Sequence, residues 1–123
     1  MILYLGPIQE PVRFLVAREP VLITEAPITT RLLFQQRPDW IVSYGYRHIL
    51  GPDVLDFMEG HAINLHCGYL PYNRGAHPNF WSWMEDTPKG ITIHAIDEGI
   101  DTGDILVQKE VQLQPEYSFA FTY

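Results

Sequence analysis

Cysteine is almost absent from this chain of 123 residues. Cys67 is the one copy, so no intramolecular disulfide can form and no second thiol exists for a zinc knuckle. A reducing compartment is compatible with that usage. Basic residues are also scarce: eight Lys and Arg face fifteen Asp and Glu, a formal net charge of −7, and the eight never form a run. That balance has the wrong sign for a surface that gains affinity by displacing counterions from phosphates, so nucleic acid is not an expected partner. Long apolar runs are missing too. Nothing approaches the roughly 20 residues of a membrane-spanning helix, so no membrane partner is expected. The start, "MILYLGPIQEP", lacks the basic segment of a secretory signal, which leaves the cytoplasm as the expected location. No G-x-G-x-x-G fingerprint for a dinucleotide phosphate occurs either.

What is present describes a globular chain. Hydrophobic residues make up 46% and aromatic residues 13%, far from the composition of a disordered segment, and the length suits one domain with a sizeable core. Short apolar runs alternate with helical stretches, the pattern of a parallel sheet covered by helices. "ILYLG", "VLIT", "DWIVSYG", "AINLH", "GITIHAI" and "DILVQKEVQL" read as strands. Helices are expected at "PVRFLVAR", with Pro11 in its first turn, at "TTRLLFQQ", capped by Thr29 or Thr30, at "PDVLDFM", and at "PNFWSWMED". No linker, repeat or domain boundary interrupts residues 1–123, which are expected to form a single α/β domain with a mostly parallel sheet. The last segment, "PEYSFAFTY", has no cap or polar close, so the chain is expected to be truncated at its C-terminal end.

Three polar clusters fall at the ends of expected strands: "SYGYRHIL" at 43–50, "NLHCGYLP" at 64–71 and "DEGIDTGD" at 97–104. In an open parallel sheet the carboxyl ends of neighbouring strands lie together, so distant segments can share one crevice. Asn64 and His66 are two residues apart and leave a strand on the same face. With Asp101 they make a kit for acyl transfer. The carboxylate orients the imidazole and favours its charged form, and the amide offers an N–H to a developing oxyanion. No Ser or Cys nucleophile is needed if the attacking amine belongs to the substrate.

Each member also has a structural reading. A strand His or Asn commonly satisfies neighbouring polar groups, and Asp101 in a Gly-rich turn can bond its own backbone. Asp-Thr-Gly also occurs in aspartic proteases, but that all-β fold needs a second Asp copy. A metal site built from His61, His66, His77, His94 and Asp97 is not expected, because no H-x-x-x-H spacing sets two ligands on one helical face. Cys67 points away from His66 across the strand and reads as a small buried filler.

From about residue 38 to residue 111, the strand Asn-x-His ("NLH"), the turn "YLPYNRG", the strand "GITIH" and the loop "DTGDIL" together resemble the formyltransferases that use 10-formyltetrahydrofolate. The resemblance implies a Rossmann-like α/β fold with flanking helices and makes Asn64, His66 and Asp101 the catalytic trio. It also implies that the pterin of 10-formyltetrahydrofolate, the co-substrate, sits against the backbone of His48, Ile49 and Leu50 and the loop containing Asp97, Glu98 and Gly99. "RGAHPNFWSWMEDTPKGITIH" and the compact first 37 residues look most like the branch that formylates nucleotide-linked amino sugars. The aromatics of "NFWSWM" and "YGYRH" would offer flat surfaces to a base or sugar. Related alternatives are a formyltetrahydrofolate hydrolase, a methionyl-tRNA formyltransferase, and a non-catalytic folate-binding fragment. A homodimer is compatible with any of these. The sequence departs from the family at Gly68, where a Ser is usual, and in length, since family members continue through at least another helix.

Overall fold

The computed structural model describes residues 1–66, 70, 90–99 and 102–110. Six strands form one sheet: β1 (Ile2–Leu5), β2 (Val21–Thr24), β3 (Trp40–Tyr44), β4 (Ala62–His66), β5 (Gly90–Ala95) and β6 (Ile105–Glu110). Three helices connect the first four strands: α1 (Glu10–Val16), α2 (Thr30–Gln36) and α3 (Pro52–Met58). The spatial order is β2-β1-β3-β4-β5-β6. Strands β1 to β4 pair in parallel, whereas β5 is antiparallel to both β4 and β6. Among the described strands, β5 is the one that runs against the rest. The expected helix over residues 78–86 and the aromatic tail lie outside the described residues.

Local chemistry explains the element boundaries. Thr29 caps α2, its side-chain oxygen accepting from the Leu32 N–H at 3.3 Å, which satisfies one of the donors a helix start leaves open. Proline in the first turn of α1 and of α3 costs no hydrogen bond there. Arg37 and Glu59 end α2 and α3 in the left-handed region, where the chain turns back toward the sheet.

The main core cluster lies on one sheet face, while Tyr4 of β1 and Val12 of α1 are buried outside it. Leu3 and Leu5 of β1, Ile41 of β3 and Ala62 of β4 pack with Leu33 of α2, Leu50, and Val54 and Met58 of α3. The strand pairings align Leu3 with Ile41, and Ile41 with Ala62, so these side chains form rows across the sheet. Right-handed crossovers put α2 and α3 on this face and α1 on the other, because β2 lies to one side of β1 and β3 to the other side.

The strand order reverses between β1 and β3, and the chain passes very close to itself there. Gly6 has φ +137°, and a Cβ on it would fall onto the Tyr44 carbonyl. The Gly6 N–H donates to the Thr24 carbonyl at 3.0 Å, tying the carboxyl end of β1 to that of β2. Gly6→Ala is therefore expected to destabilise the fold by at least about 1–3 kcal/mol, through both the backbone conformation and the contact. Urea denaturation would read this as a lower midpoint at unchanged slope; an unchanged midpoint would mean that the ends of β1 and β3 can separate at little cost.

Candidate active site

Asn64 and His66 leave β4 on the same face as Ala62 and Ile41, but farther along the strand, where the face changes from apolar to polar. Ser43 aligns with Asn64 from β3. From β5, His94 lies opposite Asn64, and Thr92 lies opposite His66. Ser43, His66, Thr92 and His94 are all buried. This is a polar cluster inside a sheet, and such clusters are stable only when their members satisfy one another.

His94 fixes the amide of Asn64. Its Nδ1 lies 2.9 Å from the Ala95 carbonyl, which can only accept, so Nδ1 carries the proton. In the neutral ring Nε2 is then the acceptor, and it receives the Asn64 Nδ2–H at 3.2 Å. One hydrogen bond sets both the tautomer of His94 and the orientation of the amide. The His66 and His94 rings meet edge to face with centroids 6.4 Å apart. At His94 the pairing of β5 with β6 shifts register between Ile93 and His94, an irregularity of the kind that re-aims side chains beside sites.

The three sequence clusters reach this region by different routes. Residues 43–50 and 64–66 do so as expected, at the adjacent carboxyl ends of β3 and β4. The cluster at 97–104 does not, because β5 is antiparallel: it follows the end of β5 that pairs with the beginning of β4, where the Ile96 N–H donates to the Ala62 carbonyl at 3.0 Å. The rule that gathers carboxyl ends therefore applies to two clusters, and the third is linked to the site through β5 and His94. Asp101 itself lies outside the described residues.

The described part of that loop is built on Asp97. Its Oδ1 accepts from the Gly99 N–H at 2.9 Å and from the Thr102 hydroxyl at 2.6 Å. These bonds, the Thr102 hydroxyl foremost, hold the Asp97 carboxyl below its ordinary value of 3.8. A Cβ on Gly103 would land on the Ala95 carbonyl, so the Asp-Thr-Gly glycine is needed for the chain to close onto the end of β5.

At the carboxyl end of β3, Tyr46 donates its hydroxyl to the Ala26 carbonyl at 2.7 Å, and its ring meets that of His48 at 5.2 Å. Ile49 is 73% exposed, whereas Leu50 is 5% exposed and belongs to the core. Leu50 therefore offers little surface to a ligand. Glu98 and Gly99 are exposed in the opposite loop. Among the described residues, no group of three or more His, Cys, Asp or Glu is placed to hold a metal ion, and no helix is long and apolar enough to cross a membrane.

His94 and Thr92 carry more of this site than their sequence positions suggest. The available signal was the "TIH" of β5, a second pair of polar residues at i, i+2 inside an apolar strand, mirroring "NLH" in β4. What was missing was the register that sets the two pairs opposite each other.

Fold and site define an open α/β sheet, nearly all parallel, with a half-buried amide and two buried imidazoles where its face turns polar. The sequence profile of the family described as Formyl transferase matches residues 23–121, and the chain belongs to that family. It is similar over 98 residues, at 41% identity, to a methionyl-tRNA formyltransferase of Syntrophus aciditrophicus (strain SB), covering 79% of this chain and 31% of that protein. Among solved structures it is similar to the formyltransferase PseJ from Anoxybacillus kamchatkensis, in complex with UDP-4,6-dideoxy-4-formamido-L-AltNAc and tetrahydrofolate. The identity is 43% and the TM-score 0.88, covering 99% of this chain and 66% of PseJ. A phosphoribosylglycinamide formyltransferase from Bacillus halodurans is 28% identical with a TM-score of 0.74, over 97% of this chain and 68% of that one. The chain thus spans under a third of the length of the curated relative.

Two outcomes follow from this geometry. His94→Leu strands a half-buried Asn64 N–H and is expected to cost about 1–3 kcal/mol, part of it recovered in the Asn64→Leu/His94→Leu pair, because removing both partners leaves that N–H no longer unsatisfied. Urea denaturation of the four proteins measures the coupling. For Asp97, a folded value below the ordinary one means that its contribution is complete above about pH 4 and is lost as pH falls through the folded value. Asp97→Asn should therefore flatten the fall of stability with acid below about pH 4, measured as melting temperature against pH.

Proposed function

We propose that the chain is the catalytic part of an enzyme that transfers a formyl group from 10-formyltetrahydrofolate to a primary amine on a nucleotide-linked amino sugar. The observation that carries the chemistry is the pairing of Asn64 with His94 across β4 and β5, with His66 beside Asn64 on the same strand. The support for the acceptor is the likeness to PseJ over 99% of the chain. The net charge of −7 favours a small acceptor over a tRNA.

In this mechanism the substrate amine attacks the formyl carbon, and the carbonyl oxygen becomes an oxyanion. His66 and the second amide N–H of Asn64 stabilise that oxygen, while the bond to His94 keeps the amide from turning its own oxygen toward it. Asp101 orients His66 and helps carry the proton from the amine to the departing folate nitrogen. The products are a formamide and tetrahydrofolate, and the protein is never acylated. The pterin is assigned to the carboxyl end of β3, where His48 and Ile49 are exposed.

Replacing the trio tests the chemistry. His66→Ala and Asp101→Asn are each expected to lower turnover by roughly 100-fold or more, as losing an acid–base or oxyanion group typically does, with folate binding retained. A wild-type rate in His66→Ala would make the imidazole structural. For the acceptor, dTDP- or UDP-linked amino sugars would be compared with methionyl-tRNA in one assay of the full-length protein. The curated relatives named as methionyl-tRNA formyltransferases make tRNA the second reading, and preferential formylation of the tRNA would establish it. Steady formate release with every amine would instead indicate hydrolysis, and folate binding without turnover a non-catalytic role.

A further inference from the structure

We infer that Gln108, on β6, is a positioning residue for the active site, holding the backbone of Leu70, four residues after His66, by a clamp shared with Thr92. This assignment rests on the functional reading above and concerns a residue two strands away from His66.

The clamp closes on the backbone of Leu70. The Gln108 Nε2 donates to the Leu70 carbonyl at 2.6 Å and to the Thr92 hydroxyl oxygen at 3.2 Å, and that hydroxyl oxygen also accepts the Leu70 N–H at 3.3 Å. The amide orientation is forced: a carbonyl only accepts, so the oxygen of Gln108 cannot take the place of its nitrogen. Leu70 is 3% exposed and Thr92 is fully buried. A buried backbone N–H and C=O outside the strand ladders must find partners, and here both partners of Leu70 are side chains.

Register connects this clamp to the proposed chemistry. Thr92 lies opposite His66 on one side and opposite Gln108 on the other, so His66, Thr92 and Gln108 form one row across β4, β5 and β6. Leu70 comes back over that row four residues after His66. The imidazole is therefore set at the end of a strand whose exit is pinned to its own row. Half-buried Gln108 has no reason of apolar packing to be there, while its strand neighbours Val107 and Lys109 are exposed.

Gln108→Leu keeps the volume and removes both donors. It is expected to lower kcat by about 10-fold or more, with KM for 10-formyltetrahydrofolate changed less than about 3-fold, since a mispositioned imidazole affects the transition state more than folate binding. Gln108→Glu is the discriminating variant. Protonated, the introduced carboxyl can donate to the Leu70 carbonyl; ionised, it can only oppose it. Its kcat should approach wild type in acid and fall as pH rises, along a limb absent from wild type. The carboxyl should ionise above the ordinary value of about 4.3, because burial and a carbonyl partner favour the neutral form. Independently of turnover, the NMR signal of the His66 ring should shift in Gln108→Leu at every pH, and in Gln108→Glu only on the alkaline side. Wild-type kcat in Gln108→Leu, a Gln108→Glu pH profile matching wild type, or an unmoved His66 signal would each overturn the assignment. A loss of activity that only follows the unfolded fraction seen by circular dichroism would do the same. Wild-type protein inactive with all acceptors would defeat the functional reading instead, and the His66 signal would still decide the clamp.

Discussion

The hydrogen bond from Asn64 to His94 is the interaction on which the polar half of the sheet depends. A strand side chain in the interior has few neighbours that can satisfy it, and an amide needs both a donor and an acceptor correctly placed. His94 can meet that need because its own Nδ1–H is already committed to the Ala95 carbonyl. The pairing thus converts a backbone feature, the carbonyl of Ala95, into the orientation of an amide on the next strand. The same low polarity that would make an unpaired Asn64 costly makes the paired one rigid.

Along one face, the sheet grades from fold to chemistry. Leu3, Leu5, Ile41 and Ala62 bury against α2 and α3, and the next residues of the central strands, Ser43, Asn64 and His66, begin the polar region. The apolar residues provide the burial that stabilises the domain, and the polar ones are held by strands that burial has already placed. Reversing β5 is what makes the polar part possible. An antiparallel neighbour sets residues directly opposite one another, which gives Asn64 and His66 two buried polar partners, each at a fixed position.

Relatives that share this architecture carry different acceptors in their names: a nucleotide-linked sugar, phosphoribosylglycinamide and methionyl-tRNA. One architecture can thus serve different acceptors, because function resides in the site carried by a fold rather than in the fold itself.

Much of the fold was legible in residue order alone. "VLIT", "AINLH" and "PDVLDFM" coincide with β2, β4 and α3, because short, largely apolar runs of four or five residues are too brief for a helix, and Pro-Asp before an apolar repeat starts one. The face shared by Asn64 and His66 also followed from the two-residue period of a strand. Direction and register did not follow. Nothing in "GITIHAI" states that β5 runs backward, and only that reversal sends residues 97–104 to the far end of the sheet and lays His94 against Asn64 and Thr92 against His66. Local sequence determines which way side chains alternate, since that is a property of one strand. Which side chains meet is a property of two strands, and it was decided by the tertiary pairing of segments some thirty residues apart.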